Sequence, residues 1–281
     1  MRLGIFAKTF ARPSLEGVLD AVKAHGLDCV QFNMACAGLP SLADEIPASV
    51  CRHIKSCMAE RGIAMAAVSG TFNMIHPDLE RRRDGMRRLS VLACACASMG
   101  TRVITLCTGT RDPDNMWRWH ADNDSFEAWE DLTEAMEQAL NIAEKCDVTL
   151  AFEPEVANVV HSAVSARTLL DNFHSPRLKV VMDAANLFHS GDLHRMDVVL
   201  EDAFHLLGRD IVIAHAKDLN EDGQAGHLAA GQGSLDYYRY LTLLREFGFN
   251  GPLILHALEE TQVDDSIAFL RRKLADLGLS E

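Results

Sequence analysis

Short apolar runs alternate with longer amphipathic stretches along nearly the whole chain. The runs fall near residues 2–7 (RLGIFA), 29–33 (CVQFN), 64–69 (AMAAVS), 102–107 (RVITLC), 149–153 (TLAFE), 179–183 (KVVMD), 211–215 (IVIAH) and 252–256 (PLILH). Runs of this length, apolar at successive positions, predict strands buried on both faces, as in a parallel sheet. Between them, apolar residues at helical spacing predict helices near 14–26, 47–61, 78–99, 124–146, 162–173, 195–208, 234–248 and 264–277. Ser or Asp stands just before the first turn of several helices, and Gly26, Gly62, Gly100 and Gly208 supply stop signals. Eight successive βα units predict an α/β fold, a single (β/α)8 TIM barrel. It is expected to span 1–281 as one domain, since no Pro/Gly/Ser-rich linker or low-complexity segment interrupts it.

Composition agrees with a barrel of ordinary size: 281 residues, 48% hydrophobic and 24% charged, suffice for one large core. Charge narrows the functional classes. With 40 acidic against 27 basic residues, the net charge of -13 repels a phosphate backbone, so no nucleic-acid partner is expected. The first residues run into LGIFA without the apolar core and cleavage region of a signal peptide, and no apolar stretch reaches about 18 residues. No membrane association and a cytoplasmic location are the corresponding expectations. The 8 cysteines (Cys29, Cys36, Cys51, Cys57, Cys94, Cys96, Cys107, Cys146) include no C-x-x-C pair, which predicts reduced thiols. Cys94 and Cys96 lie two apart on a helix and cannot share a face, so packing is expected of them rather than metal or redox chemistry.

Candidate chemistry lies at the ends of the last four runs. VTLAFE, LKVVMD, DIVIAH and GPLILH close on Glu153, Asp183, His215 and His256. In a (β/α)8 barrel the C-terminal strand ends carry the catalytic groups, so these four are expected at equivalent points around one mouth. Two carboxylates there would repel each other, and a divalent metal ion bound by both carboxylates and both imidazoles relieves the repulsion. The mixed donor set suits Mn, Co, Zn or Fe more than Mg. Glu153 is the expected base, and His256, Glu259, Lys217 and His76 are candidates for moving a second proton. Alternation along FEPE keeps Glu155 on the side of Glu153, where it could touch substrate.

Three loops, after the third, fourth and seventh strands, exceed what a turn needs. Residues 69–78 carry Asn73 and His76; residues 108–124 carry Arg111, Trp117, Arg118, Trp119 and His120. Such loops either wall and clamp a polar substrate or cover the mouth or a subunit interface. His76, Arg111 and Trp117 are the substrate-binding candidates from this group, and a homo-oligomer is compatible with it. Further on, Gly231, Gly233 and Ser234 precede a helix, a pattern that can bind an anion through backbone N–H groups but more often makes a tight turn.

FEPE at 152–155, the D-x-x-N pattern from Asp183 to Asn186 in MDAANLF, and HAKD at 215–218 followed by GQG at 231–233 give the chain a family likeness. It resembles, over nearly its whole length, the sugar phosphate isomerase/epimerase superfamily of xylose isomerase-like TIM barrels, which includes keto-sugar 3-epimerases, inosose dehydratases and endonuclease IV. The resemblance implies metal ligands at Glu153, Asp183 and His215 and substrate contacts near Asn186 and Lys217. One departure stands out: where that superfamily usually ends its eighth strand with a second glutamate, serving as ligand and acid/base carboxylate, this chain has His256, with Glu259 three residues later. The register of the four runs favours His256 as the fourth ligand.

The combined expectation is a metal-dependent isomerase or epimerase of a small sugar, polyol or hydroxy-carbonyl compound, working through an enediolate-type intermediate. Loss of water would instead make a dehydratase of inosose or dehydroshikimate type, and a barrel without metal would be a non-catalytic sugar-binding protein. DNA repair of the endonuclease IV kind needs more metal ligands and a basic groove, and the net charge of -13 opposes it.

Overall fold

The structure is a computed structural model, and it describes residues 1–279. Eight strands pair in parallel: β1 (Leu3–Phe6), β2 (Cys29–Phe32), β3 (Ala64–Ser69), β4 (Val103–Cys107), β5 (Thr149–Glu153), β6 (Leu178–Asp183), β7 (Ile211–Asp218) and β9 (Leu253–Leu255). The ring closes because β9 pairs with both β7 and β1. Helices α1 (Leu15–Ala24), α2 (Ala48–Glu60), α3 (Leu79–Met99), α4 (Phe126–Cys146), α5 (Ala163–Phe173), α6 (Met196–Leu207), α7 (Tyr237–Glu246) and α8 (Val263–Asp276) complete a (β/α)8 barrel. A two-residue strand, β8 (Leu228–Ala229), lies outside the ring and pairs antiparallel with the end of β7. That pairing carries β7 three residues past the expected end at His215.

Local chemistry accounts for most helix boundaries. The side chains of Ser14, Asp78, Ser125 and Ser162 accept N–H groups of Gly17, Glu80, Ala128 and Ser165 at the starts of α1, α3, α4 and α5, each cap contributing about 1 kcal/mol. The seventh helix starts later than expected because Asp236, rather than Ser234, accepts the capping N–H, from Arg239. Gly26, Gly62 and Gly100 take positive φ, as helix-ending glycines do. Gly208 does not: at φ -53 it continues into a 3-10 turn, and its missing side chain makes room for the Phe247 ring.

The interior is layered. Leu, Val and Phe side chains fill the space between strands and helices, while Cys29, Ala67, Ala151, Val181, Ile213 and Ile254 form a separate apolar cluster inside the barrel. Side chains alternate along a strand. The residue two beyond each member of this cluster therefore faces the same interior, and those residues are Gln31, Ser69, Glu153, Asp183, His215 and His256. A polar layer thus stands directly on an apolar floor. Gly4 belongs to the floor's packing, since a Cβ there would lie 2.7 Å from Ile254 Cδ1. On the outside, Cys94 meets Cys146 of α4, with sulfurs 2.6 Å apart, rather than Cys96 of its own helix. Among the described residues no helix is long and apolar enough to cross a membrane.

Candidate metal centre at the barrel mouth

Register decides how the strand-end side chains meet. Asp183 lies opposite His215 in the β6–β7 ladder. Phe152 lies opposite Val180, which puts Glu153 level with Val181 and two residues short of Asp183. His215 lies opposite Ile254, so His256, just past the end of β9, stands two residues higher. The expectation of equivalent points is corrected here. Strands tilt to close a barrel and their ladders are sheared, so the four residues climb a stair around the rim. Steps of two leave every side chain pointing inward.

The stair brings three ligand-type side chains together: single atoms of Asp183, His215 and His256 all lie within 4.8 Å of one another. His215 Nδ1 is 3.4 Å from Asp183 Oδ2 and 3.7 Å from Glu153 Oε2, so Glu153 stands beside the trio. The rings of His215 and His256 stack with centroids 4.9 Å apart, and Phe6 stacks on His256 at 5.1 Å. Asp183 Oδ2, His215 Nδ1 and His256 Nδ1 are buried without a hydrogen-bond partner. Lys217 Nζ is 3.0 Å from that Asp183 oxygen, an ion pair whose angle misses a hydrogen bond. Buried polar atoms are ordinarily hydrogen bonded, and three that are not, on the three converging residues, fit a divalent cation.

The charges in this layer balance one another. Burial opposes ionisation of Asp183, yet the Lys217 ammonium and the His215 imidazole hold its carboxyl far below the usual carboxylate range. Burial alone would lower His215, but Glu153 and Asp183 outweigh it and push the imidazole up to about 9. Burial, with His215 and Lys217 alongside, keeps His256 well below the ordinary histidine range, so its ring is neutral. A cation entering the site would take the place of the His215 proton.

Neighbouring residues aim these groups. His215 Nε2 is hydrogen bonded to Gln31 Oε1 at 2.9 Å, which in the neutral ring puts the hydrogen on Nε2 and the lone pair on Nδ1. The Gln31 amide in turn donates to Thr105 Oγ1 at 3.3 Å. Tyr240 donates its hydroxyl hydrogen to the carbonyls of Met182 and His215, at 3.0 and 3.1 Å, and ties the ends of β6 and β7 from behind. Gln31 and Thr105 are not among the expected site residues, although each is a polar residue inside an otherwise apolar run, the signal that marks both. Gln31→Leu is expected to weaken divalent-cation affinity about 10- to 100-fold while the fold survives, as isothermal titration of metal-free protein would measure.

The other expected residues divide into two groups. A cavity of about 1090 Å³ above the cluster is lined by Lys217, Asn186, Glu153, Glu155, Trp117 and Glu259, among others. Asn186 Nδ2 donates to Glu153 Oε1 at 2.6 Å, and its own Oδ1 accepts from the Gly226 N–H at 3.0 Å. Glu155 is buried, and its two oxygens accept from Ala157 N–H and Asn158 Nδ2, so it braces its own loop; burial pushes its carboxyl up to about 7. Glu259 is exposed at the rim, in a reciprocal capping box with Gln262. His76 and Arg111 are turned into the scaffolding of the loops instead. His76 bonds Pro113 O and the Asp78 N–H through its two ring nitrogens, and Arg111 bonds Asp131 and Ile75 O. Asn73 joins those two loops through the backbone N–H and C=O of Thr110.

The glycine turn has an internal partner. Asp218 accepts the N–H groups of Leu219, Gly231 and Leu235 at 2.9, 3.0 and 2.9 Å, and a Cβ at Gly233 would run into its carboxylate. The Gly231 N–H is therefore taken by the chain's own carboxylate, and the Ser234 N–H by the Leu219 carbonyl.

These features define a (β/α)8 barrel whose polar cluster sits at the C-terminal strand ends. The chain belongs to the xylose isomerase-like TIM barrel family, which it matches over residues 19–273. No curated protein sequence matches it significantly. Its structure is similar to that of a D-tagatose 3-epimerase-like protein, with a TM-score of 0.76 and 13% identity over 99% of this chain and 98% of that one. It is also similar to D-psicose 3-epimerase from Clostridium cellulolyticum H10, with a TM-score of 0.73 and 15% identity over 98% and 99%. A third similar structure is 3-keto-D-glucoside 4-epimerase from E. coli, with a TM-score of 0.70 and 18% identity over 97% and 99%. At these identities the likeness is one of fold, and the fold is shared with sugar epimerases.

Proposed function

We propose that the protein is a metal-dependent isomerase or epimerase of a small sugar, polyol or hydroxy-carbonyl compound. The observation that carries this reading is the trio of buried atoms without a hydrogen-bond partner on Asp183, His215 and His256, with the Glu153 carboxylate beside them, beneath an open cavity. Asp183, His215 and His256 would hold the cation with Glu153 adjoining, and two imidazoles favour Mn, Co, Zn or Fe over Mg. When bound, the cation would polarise a carbonyl and its neighbouring hydroxyl and so acidify the adjacent C–H.

Glu153 takes that proton. Asn186 holds one of its oxygens and leaves the other toward His215 and the cavity. The Lys217 ammonium, which lines the same cavity, stabilises negative charge developing on a substrate oxygen as the enediolate forms. Of the groups that could return a proton, His256 is committed to the ligand trio, while Glu259 faces the cavity and remains available.

Solvent-deuterium exchange tests the reading. Metal-loaded protein in D2O, given a panel of ketopentoses, ketohexoses and inositol-derived ketones, is expected to place deuterium on the carbon beside the carbonyl of its substrate and to yield an epimer or aldose. Loss of water from the exchanging substrate identifies a dehydratase. Saturable sugar binding without exchange at any metal loading identifies a non-catalytic barrel.

A further inference from the structure

Away from the mouth, α1 and α2 bring three other ligand-type side chains together. His53 and Cys57 lie four residues apart on α2 and so share a face, and Glu16 in the first turn of α1 meets them. His53 Nε2 is 3.1 Å from Glu16 Oε1 and 3.7 Å from Cys57 Sγ; Cys57 Sγ is 3.7 Å from Glu16 Oε1. We propose that Glu16, His53 and Cys57 form a second divalent-cation site, suited to Zn2+, that links α1 to α2 on the outside of the barrel.

The triangle has the right dimensions. Tetrahedral Zn2+ at about 2.0 Å from oxygen and nitrogen and about 2.3 Å from sulfur has edges of about 3.3 Å between N and O and about 3.5 Å from S to either. The three observed separations, 3.1, 3.7 and 3.7 Å, agree with those edges to about 0.2 Å. Cys57 Sγ also lies 3.6 Å from His53 Nδ1, so the imidazole has to turn about its own side-chain bonds to aim the Nε2 lone pair at the ion. Chemistry points the same way: a thiolate, an imidazole and a carboxylate select Zn2+ over Mg2+ or Ca2+, and the two anionic ligands neutralise the ion.

Burial sets the character of the site. Cys57 is buried, whereas the His53 and Glu16 side chains are 54% and 43% exposed and line a surface cleft of about 480 Å³. Three protein ligands leave the fourth position open to that cleft, for water or an exogenous donor, which makes the ion exchangeable.

Cobalt distinguishes this site from the barrel mouth. A Co2+–thiolate bond gives an intense near-ultraviolet charge-transfer band, which carboxylate and imidazole ligands do not give. Metal-free full-length protein is titrated with CoCl2 as the parent and as Cys57→Ser, His53→Ala and Cys107→Ser, the last because the Cys107 thiol lies in the mouth. The band is expected in the parent and in Cys107→Ser, to be absent from Cys57→Ser, and to bleach on addition of Zn2+. His53→Ala is expected to raise the half-saturating cobalt concentration at least about tenfold. A parent without the band, or a band that survives Cys57→Ser, overturns the proposal. His53 is exposed, so its variant keeps the test decisive if Cys57→Ser does not fold: unchanged half-saturation in His53→Ala overturns it equally.

Discussion

Asp183→Asn is expected to abolish stoichiometric cation binding at the barrel mouth and to destabilise the metal-free protein by about 3–5 kcal/mol, the usual cost of breaking a buried ion pair from one side. Asn has the shape of Asp, so the packing is preserved and the effect is electrostatic. The Asp183 side chain is 0% exposed and faces Lys217 at 3.0 Å and His215 at 3.4 Å, both nearly as buried. In the parent, burial works against the Lys217 ammonium, but Asp183 and Glu153 outweigh it and raise its pKa. That contribution to stability is fully present below the unfolded lysine pKa and is lost as pH rises through the folded one. In the variant the largest raising influence is gone, and Glu153 and Glu155 alone oppose burial, so the folded lysine pKa falls from the parent's. The resulting deficit relative to the parent is full while Lys217 is charged in both proteins and closes as pH rises through the parent's folded lysine pKa. Thermal unfolding across pH, together with metal content by elemental analysis, measures both outcomes. A variant that binds cation as the parent does and unfolds at the same temperature would remove Asp183 from the site.

Glu153→Gln is expected to separate proton transfer from cation binding. Positioned general bases contribute about 10²–10⁴-fold, so solvent exchange at the substrate carbon should fall by that order. Cation content should change little, because the converging trio is Asp183, His215 and His256, with Glu153 alongside. Gln can still accept the Asn186 hydrogen bond that now goes to Glu153 Oε1, which keeps the side chain in place. Deuterium incorporation and metal content, measured on the same preparation, distinguish three results. Exchange lost with metal retained assigns the base. Exchange and metal lost together make Glu153 chiefly a ligand. Exchange unchanged transfers the base role to Glu259, the other carboxylate at the rim.

Local periodicity along the chain accounts for the elements and for the direction of their side chains. The eight βα units follow from apolar runs and amphipathic stretches, because side-chain direction repeats every two residues in a strand and every 3.6 in a helix. The same rule places Glu153, Asp183, His215 and His256 on the inner face, each two residues beyond an apolar member of the barrel floor. How those positions meet depends on the closed ring. Ring closure sheared the ladders, so His256 rose above His215 while Glu153 fell below Asp183. Closure also carried Gln31 across 184 residues of chain to fix the tautomer of His215. The long loops were settled the same way: His76 went to Pro113 and Arg111 to Asp131 of α4 rather than to the cavity, and Asp218 took the Gly231 N–H of the glycine turn. Cys57 illustrates the division most simply. Its spacing from His53 is fixed by the helix, but Glu16 reaches it only because α1 packs on α2. Covalent geometry sets the direction of each side chain from its neighbours in sequence; its partners are set by contacts between distant segments, which no local pattern encodes.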